Sequence, residues 1–303
     1  MKKILLFAAA TLALAACNND DEYVDNGPVA VQVTATIGEN AMTRASNTSW
    51  AVGDKIGITT LRKDESKYIN MKYTTTAGDG VFTGNTMYFQ DKTEPVTFTA
   101  YYPFTGSEGT APGIIEAHTS AEYQTADRQP EIDFLHDRRA SITGSDPKVN
   151  FMSSHRMSKL TLTFKNGTGA DVGKITSYSI DGLTLKGTFD PASEKGDCVA
   201  TETENAETLT IDLAQAGVTV ENEKSIPSLI LFPQHTGEKQ IMLHIYTNDS
   251  QHYGCRLQFG GGNLAASNDY QYTITVNRTG LDVEKATIVD WGEKKLDGEA
   301  TLQ

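Results

Sequence analysis

Alternation of apolar and polar residues with a period of two is the feature that most restricts the fold of this chain. It is clearest in residues 29–37, whose apolar face consists of Val29, Val31, Val33, Ala35 and Ile37. Successive side chains of a strand point to opposite sides of a sheet, so a strand with one buried face shows this pattern. We therefore predict a half-buried first strand over residues 29–37.

Comparable short segments recur along the chain, separated by turn-forming pairs such as Asp79-Gly80 and Asn166-Gly167. The strand candidates are residues 55–60, 68–73, 86–90, 95–102, 159–164, 175–180, 183–189, 209–213, 228–232, 240–246, 253–259, 270–276 and 287–291. No stretch of 12 residues shows a helical period, and the 38 Thr residues favour strands because Thr is β-branched. The pattern predicts an all-β protein of two β-sandwich domains, residues 29–154 and 155–303, the second with a C-terminal strand.

Residues 1–16 have the features of a bacterial signal peptide. Lys2 and Lys3 precede an apolar stretch, residues 4–16, which is too short to span a bilayer. The small residues before Cys17 resemble a lipobox, so we expect lipidation of Cys17, with acyl chains such as palmitate anchoring the protein. Residues 17–28 would be an acidic tether, which also resembles a signal for lipoprotein export to the cell surface.

Charge and motif content argue against nucleic-acid binding and against catalysis. The chain has 26 Lys and Arg and 39 Asp and Glu, a formal net charge of −13, whereas phosphate binding needs a basic face. Residues 167–174 lack the spacing of a phosphate loop, and the six His lack zinc-ligand spacing. We therefore expect no catalytic residue, metal or cofactor. Cys198 and Cys255 either form a disulfide or remain separate thiols.

A series of short motifs occurs in order over nearly all of the mature chain. They are Thr43-Arg44, Trp50-Ala51-Val52-Gly53-Asp54 and Ile56-Gly57-Ile58; Tyr68, Asn70 and Tyr73; Val96-Thr97-Phe98-Thr99-Ala100-Tyr101-Tyr102-Pro103; Ile132-Asp133-Phe134-Leu135; Phe151 with His155-Arg156-Met157-Ser158-Lys159-Leu160; Tyr270-Gln271-Tyr272-Thr273-Ile274-Thr275-Val276; and Ile288-Val289-Asp290-Trp291. Together with the lipobox, this ordered set resembles the fimbrillin family, the Mfa-like and FimA-like pilus subunits of the Bacteroides type.

The resemblance implies two transthyretin-like β-sandwich domains in tandem. It also implies a structural, anchor, minor or tip component of adhesive cell-surface fimbriae, exported as a lipoprotein of the outer membrane. An arginine-specific protease would cut between Arg44 and Ala45 and release the first strand. The C-terminal segment of a neighbouring fimbrial subunit would replace that strand, so the implied partners are other fimbrial subunits and a surface ligand.

The first strand is physically suited to such an exchange. Burial of its four large inward side chains is worth roughly 6–12 kcal/mol, at about 1.5–3 kcal/mol each. That is comparable with the net stability of a whole domain, about 5–15 kcal/mol. Main-chain hydrogen bonds and alternating pockets would give a replacement strand its affinity and register. Arg44 lies in the polar segment just after the strand and is the only Lys or Arg between Cys17 and Lys55.

Two alternatives remain open at this point. The tail after residue 292 offers only Leu296, Ala300 and Leu302 to a groove, so an anchor, minor or tip component is an alternative to the main shaft subunit. A surface glycan-binding lipoprotein is the alternative function, and it needs exposed aromatic platforms. The chain has two Trp, Trp50 and Trp291, and both lie in the motifs quoted above.

Overall fold

The structure, a computed structural model, describes residues 27–38, 49–62, 67–167, 173–201, 206–213, 218–219, 223–277, 280–284 and 286–291. Within these residues the regular elements are strands and three short 3-10 turns (Ala121–Tyr123, Gln129–Glu131 and Gly260–Gly262), which confirms the all-β class. None of these turns is long and apolar enough to cross a membrane as a helix.

The strands fall into two successive sets along the chain. The first set is β1 (Val29–Ala30), β2 (Gln32–Ile37), β3 (Lys55–Leu61), β4 (Met71–Thr74), β5 (Val81–Gly84), β6 (Tyr88–Phe89), β7 (Val96–Tyr102), β8 (Ile115–His118), β9 (Leu135–Ile142) and β10 (Lys148–His155). The second set is β11 (Ser158–Asn166), β12 (Lys174–Leu183), β13 (Lys186–Asp190), β14 (Asp197–Ala200), β15 (Glu207–Asp212), β16 (Val218–Thr219), β17 (Glu223–Ser225), β18 (Leu229–Leu231), β19 (Gln234–His235), β20 (Ile241–Thr247), β21 (His252–Leu257), β22 (Asn263–Leu264), β23 (Asn268–Asn277), β24 (Gly280–Val283) and β25 (Thr287–Asp290).

Seven strands of the first set close into a barrel. They hydrogen-bond in the circular order β10–β2–β5–β4–β3–β7–β9. The circle closes at β10, which pairs parallel with β2 through residues 148–153 and antiparallel with β9 through Ser154 and His155. Inward side chains fill the interior with one apolar cluster, whose buried members run from Val31 to Phe151.

Most strands of the second set form two sheets around a single core. One sheet has the order β17–β11–β23–β24, with β18 also on β11 and β25 also on β23, and the other has the order β15–β12–β20–β21. In β11 every second residue is buried (Leu160, Leu162 and Phe164), and Tyr178 and Ile180 of β12 enter the same core. This two-layer packing is the sandwich that the short alternating segments predict.

Each half contains one parallel pair that joins its beginning to its end. β2 pairs with β10 in the first half, and β11 pairs with β23 in the second half. All other pairs among the described strands are antiparallel. A parallel pair needs a long connection, and here the connection is the rest of the half. The first strand therefore contacts a strand more than 100 residues away in the sequence.

A third apolar cluster joins the two halves. It contains Tyr101, Ile132, Phe134, Met157, Phe189, Ile230, Phe232 and Trp291. Phe134 of the first half stacks on Phe189 of the second, with ring centroids 4.6 Å apart. β8 also leaves the first half and pairs with β13 of the second, which extends a three-stranded sheet across the junction. The halves are thus connected by side-chain packing and by main-chain hydrogen bonds.

Three strands of the barrel, β5, β9 and β10, were not among the predicted strands. β5 is only four residues long and buries only Phe82. β9 exposes Arg138 and Ala140 and buries only its first two residues, so it has no continuous apolar face. β10 does alternate, but the inward residues of its second half are Ser153 and His155, which are polar. The places of β9 and β10 in the barrel therefore depend on their pairing with β7 and β2.

His136 of β9 is buried at the junction, where a Cβ atom on Gly196 would collide with its ring. Burial, reinforced by the positive charge of Arg156, lowers the pKa of His136 to about 4, against about 6.5 in an unfolded chain. Between these values the unfolded chain binds a proton that the folded chain does not bind. We expect this residue to leave stability unchanged above pH 6.5 and to lower the unfolding free energy by about 3 kcal/mol as the pH falls to 4.

Guanidinium unfolding of the lipid-free chain between pH 7.5 and 4 would measure this effect. Other groups also titrate in this range, so the control is the His136→Asn variant at the same pH values. The variant should lack the His136 part of the decline, and parallel curves for the two proteins would contradict the prediction.

Candidate functional site: the groove of the first strand

The candidate site consists of β2 and the groove that it fills. β2 is an internal strand, because it has hydrogen-bonded neighbours on both sides. Residues 32–37 run parallel to residues 148–153 of β10. On the other side Val33 and Thr34 pair with Phe82 and Val81 of β5. Removal of β2 would therefore open the barrel between β10 and β5.

The buried face of this strand is the one that the alternation predicts. Val31, Val33, Ala35 and Ile37 are 8%, 4%, 1% and 6% exposed, and all belong to the barrel core. The structure does correct the extent of the strand. Val29 lies in β1, which pairs with β6. Val31 lies between β1 and β2, and its N–H donates to the Met87 carbonyl.

Ala35 is fixed through its main chain by two residues outside the strand. The indole N–H of Trp50 donates to the Ala35 carbonyl at 2.7 Å, and the Ala35 N–H donates to the Gly80 carbonyl at 2.8 Å. Trp50 is itself held edge-on against Phe82 and Tyr102, with ring centroids 5.0 and 5.5 Å apart. Alternation in the sequence could not reveal these contacts, because Trp50 and Gly80 lie outside the strand and Asp79-Gly80 indicated only a turn.

Gly80 has to be glycine for two reasons. Its φ angle is +84°, and an added Cβ atom would lie 2.6 Å from the Ala35 carbonyl oxygen. Gly53 provides a matched control, because its φ angle is +91° but nothing lies within 4 Å of an added Cβ atom. We expect Gly53→Ala to cost about 1–2 kcal/mol for the left-handed backbone alone. Gly80→Ala should cost a further 1–3 kcal/mol, roughly, from the close contact.

Chemical denaturation of the two single variants beside the unchanged chain would give both values. Equal losses of stability in the two variants would show that the close approach between Gly80 and the first strand adds nothing to the cost of Gly80→Ala.

The predicted processing and lipidation residues lie outside the described residues. These are Cys17, Arg44 and Ala45, together with residues 1–16 and most of the 17–28 tether. The structure describes the chain on either side of the Arg44 segment, up to Gly38 at the end of β2 and again from Ser49. Trp50 therefore follows Arg44 in the chain and would stay with the body of the protein after a cut there.

The two thiols that the structure describes are not suited to catalysis. Cys198 and Cys255 are free rather than joined in a disulfide. Burial raises the pKa of Cys198 to about 12 and that of Cys255 to about 11. Both are therefore protonated at neutral pH, whereas a nucleophilic cysteine reacts as the thiolate. Across the described ranges, no group of three or more His, Cys, Asp and Glu side chains could hold a metal ion.

Neither Trp provides the exposed platform that a glycan site requires. Trp50 is 7% exposed in the barrel core, and Trp291 is 5% exposed at the junction of the two halves. Trp291 stacks on His155 with ring centroids 3.8 Å apart, and its main-chain N–H donates to the Ser267 carbonyl. It directly follows β25, which pairs with β23. The chain after Trp291 lies outside the described residues.

Comparison with known proteins gives matches that cover nearly the whole chain. Residues 43–291 match the model of the fimbrillin-like family, and residues 1–18 match the prokaryotic membrane lipoprotein lipid attachment site. A Bacteroides uniformis protein described as a candidate fimbrium subunit, Fim1C, is 31% identical over 318 aligned positions. That alignment covers 99% of this chain and 98% of the relative.

Solved structures agree with this result. A candidate cell adhesion protein from Bacteroides ovatus is 29% identical, with a TM-score of 0.73 over 89% of this chain and 100% of that chain. A second one, from Bacteroides uniformis, is 26% identical, with a TM-score of 0.67 over 88% and 99% of the two chains. These matches confirm the resemblance that the ordered motifs show. The chain belongs to the fimbrillin-like family, a family of fimbrial structural subunits and not of enzymes.

Proposed function

We propose that this protein is a structural subunit of adhesive cell-surface fimbriae, made as a precursor that acyl chains on Cys17 hold at the outer membrane. The family match over residues 43–291 and the lipid attachment match over residues 1–18 support this proposal. In this proposal residues 1–16 are the signal peptide, residues 17–28 form the tether, and other fimbrial subunits are the partners.

Assembly proceeds by strand exchange at the groove of β2. A protease cuts between Arg44 and Ala45, β2 leaves with the N-terminal fragment, and an extended C-terminal segment of a neighbouring subunit enters the groove. The observation that carries this proposal is the placement of β2. Val31 and three residues of β2 contribute buried side chains to the barrel core, yet a cut in the segment that contains Arg44 would leave this strand held to the barrel by non-covalent contacts. Strand addition of this kind combines main-chain hydrogen bonds with side-chain pockets.

We propose that the protein has two domains, residues 29–154 and 155–303. The separate apolar cores support this division, because the barrel core uses residues between Val31 and Phe151 and the sandwich core uses residues between Leu160 and Val276. The barrel domain receives the strand, and the sandwich domain carries the C-terminal segment that follows Trp291.

The test is limited digestion of the lipid-free precursor with an arginine-specific protease, followed by N-terminal sequencing and an unboiled denaturing gel. We expect a new N-terminus at Ala45 and an SDS-resistant ladder. The matched control is Arg44→Lys, which keeps the charge but removes the cleavage site and should give neither product.

The possible results have distinct meanings. Cleavage at Ala45 without a ladder would place the donor segment on a different subunit, in agreement with an anchor or tip position. Resistance of Arg44 under conditions that leave the folded chain otherwise intact would contradict processing at this site.

A further inference from the structure

The inward face of residues 31–37, which are Val31 and β2, presents large and small side chains to the groove in a fixed order. Val31, Val33 and Ile37 are large and Ala35 is small, yet Ala35 is the most buried of the four, at 1% exposed. A larger side chain at this position would therefore point into the core and would have to displace the residues around it. Overpacking of such a position forces neighbouring side chains or backbone to move.

The residues around Ala35 restrict both its side chain and its main chain. Ala35 lies in register with Phe151 of β10, which is also 1% exposed. On its other side the Trp50 indole binds the Ala35 carbonyl, and the backbone of Gly80 closes on the same oxygen. The strand cannot move away from β10 or towards it to accommodate a larger side chain. The first movement would break its pairing with β10, and the second would break the hydrogen bond from the Ala35 N–H to the Gly80 carbonyl.

We infer that the groove selects its incoming strand at this position and accepts an extended segment only if the side chain that replaces Ala35 is small. This inference rests on the proposed strand exchange and adds a sequence rule for the donor. Trp50, Gly80 and Phe151 all follow Arg44 in the chain, so the selective elements stay in the processed protein.

Residues 296–302 of a second copy of this chain satisfy the rule. In one register Leu296, Gly298, Ala300 and Leu302 take the places of Val31, Val33, Ala35 and Ile37. Ala300 then occupies the restricted position. Asp297 takes the place of Gln32, which is paired with the exposed Lys148 of β10. Opposite charges directly across two strands stabilise the pair.

Another Ala-Thr-Ile sequence in the chain, residues 286–288, does not satisfy the rule. With Ala286 in the place of Ala35, Glu284 takes the place of Val33 in the barrel core. Burial of a carboxylate among apolar side chains carries a large free-energy cost. Residues 287–290 are also already paired with β23 of their own chain.

The assigned donor fits the groove least well at Gly298. Gly298 takes the place of Val33, which pairs with Phe82 on one side and with Val149 on the other. The side-chain volume of Val33 would be left unfilled there. The tail should therefore bind more weakly than the native first strand, and a Gly298→Val change should strengthen its binding.

The experiment measures the binding of dye-labelled peptides to the full lipid-free chain after cleavage at Arg44, by fluorescence anisotropy. The released strand is first removed by gel filtration in mild denaturant. One peptide has the sequence of residues 27–38, with Ala35→Leu as the variant and Gln32→Leu as a control that introduces the same side chain on the outward face. The other has the sequence of residues 294–303, with Ala300→Leu and Gly298→Val as variants and Glu299→Leu as the outward control.

We expect the 27–38 peptide to bind and Ala35→Leu to weaken it by about tenfold or more, with little effect of Gln32→Leu. The tail peptide should bind, should weaken by a similar factor with Ala300→Leu and should strengthen by about tenfold with Gly298→Val. The uncut Arg44→Lys chain should bind none of these peptides.

Each contrary result has its own meaning. Equal binding of the Ala35→Leu and native peptides would overturn the selectivity while leaving strand exchange intact. Failure of the tail peptide alone would overturn the assigned donor. Failure of every peptide, including the native 27–38 sequence, would overturn strand exchange and the inference together.

Discussion

Replacement of Trp50 by alanine is expected to lower the free energy of unfolding by about 3–5 kcal/mol, the usual cost of removing a buried aromatic side chain. Trp50 packs edge-on against Phe82 and Tyr102 and is 7% exposed. The change would also remove the donor to the buried Ala35 carbonyl. An unsatisfied buried acceptor adds about 1–3 kcal/mol to the cost of a substitution.

Guanidinium unfolding followed by circular dichroism would measure this loss. Trp50→Phe keeps a ring in the core but removes the hydrogen bond, so its cost should be close to the second contribution alone. Val52→Ala is the surface control, because Val52 is 73% exposed and such substitutions usually change stability by less than about 0.5 kcal/mol. A loss below about 1 kcal/mol for Trp50→Ala would contradict the described packing.

Replacement of Trp291 by alanine is expected to cost a similar amount, about 3–5 kcal/mol, but at the junction of the two halves. Trp291 stacks on the fully buried His155, which contacts Asp133 at 2.7 Å through its Nδ1 atom. Of the four residues of β25, only Val289 is even half-buried. Trp291 is therefore the main side-chain anchor of the last described strand, and its loss should also release β25 from β23.

Hydrogen exchange of the β25 amides, together with guanidinium unfolding, would test both parts of this prediction. The indole N–H of Trp291 is buried and has no hydrogen-bond partner among the described residues. Trp291→Phe should therefore cost much less than Trp50→Phe relative to the matching alanine variants. Ile288→Ala, at a side chain that is 42% exposed, is the local control. Unchanged protection of β25 in Trp291→Ala would refute the anchoring role.

The two tryptophans therefore have different consequences for assembly. Trp50 follows Arg44 and would remain in a processed subunit, where its indole N–H could donate to the main chain of any incoming strand. Trp291 keeps the end of β25 on its own chain, so that only the residues after it would be available to a neighbour.

The sequence alone predicted which face of the first strand is buried and where several other long strands lie. The inward residues of β2 and the alternating residues of β11 and β23 are buried as their period of two requires. This holds because the direction of a side chain in a strand depends only on local geometry, and because large apolar side chains favour burial wherever the strand lies. The ordered motifs and the lipobox likewise indicated the family, because the identity and order of their residues are enough to recognise them.

Strand partners, in contrast, were decided only by the tertiary structure. Alternation predicts that β2 has a buried face, but not that it lies parallel to β10 or that β8 crosses to β13 in the other half. It also gave no sign that β9, with few apolar residues, closes the barrel. Pairing depends on contacts between residues far apart in the sequence. The need for a small side chain at Ala35 was likewise decided by the tertiary structure, because Trp50, Gly80 and Phe151 surround this residue only after the chain has folded.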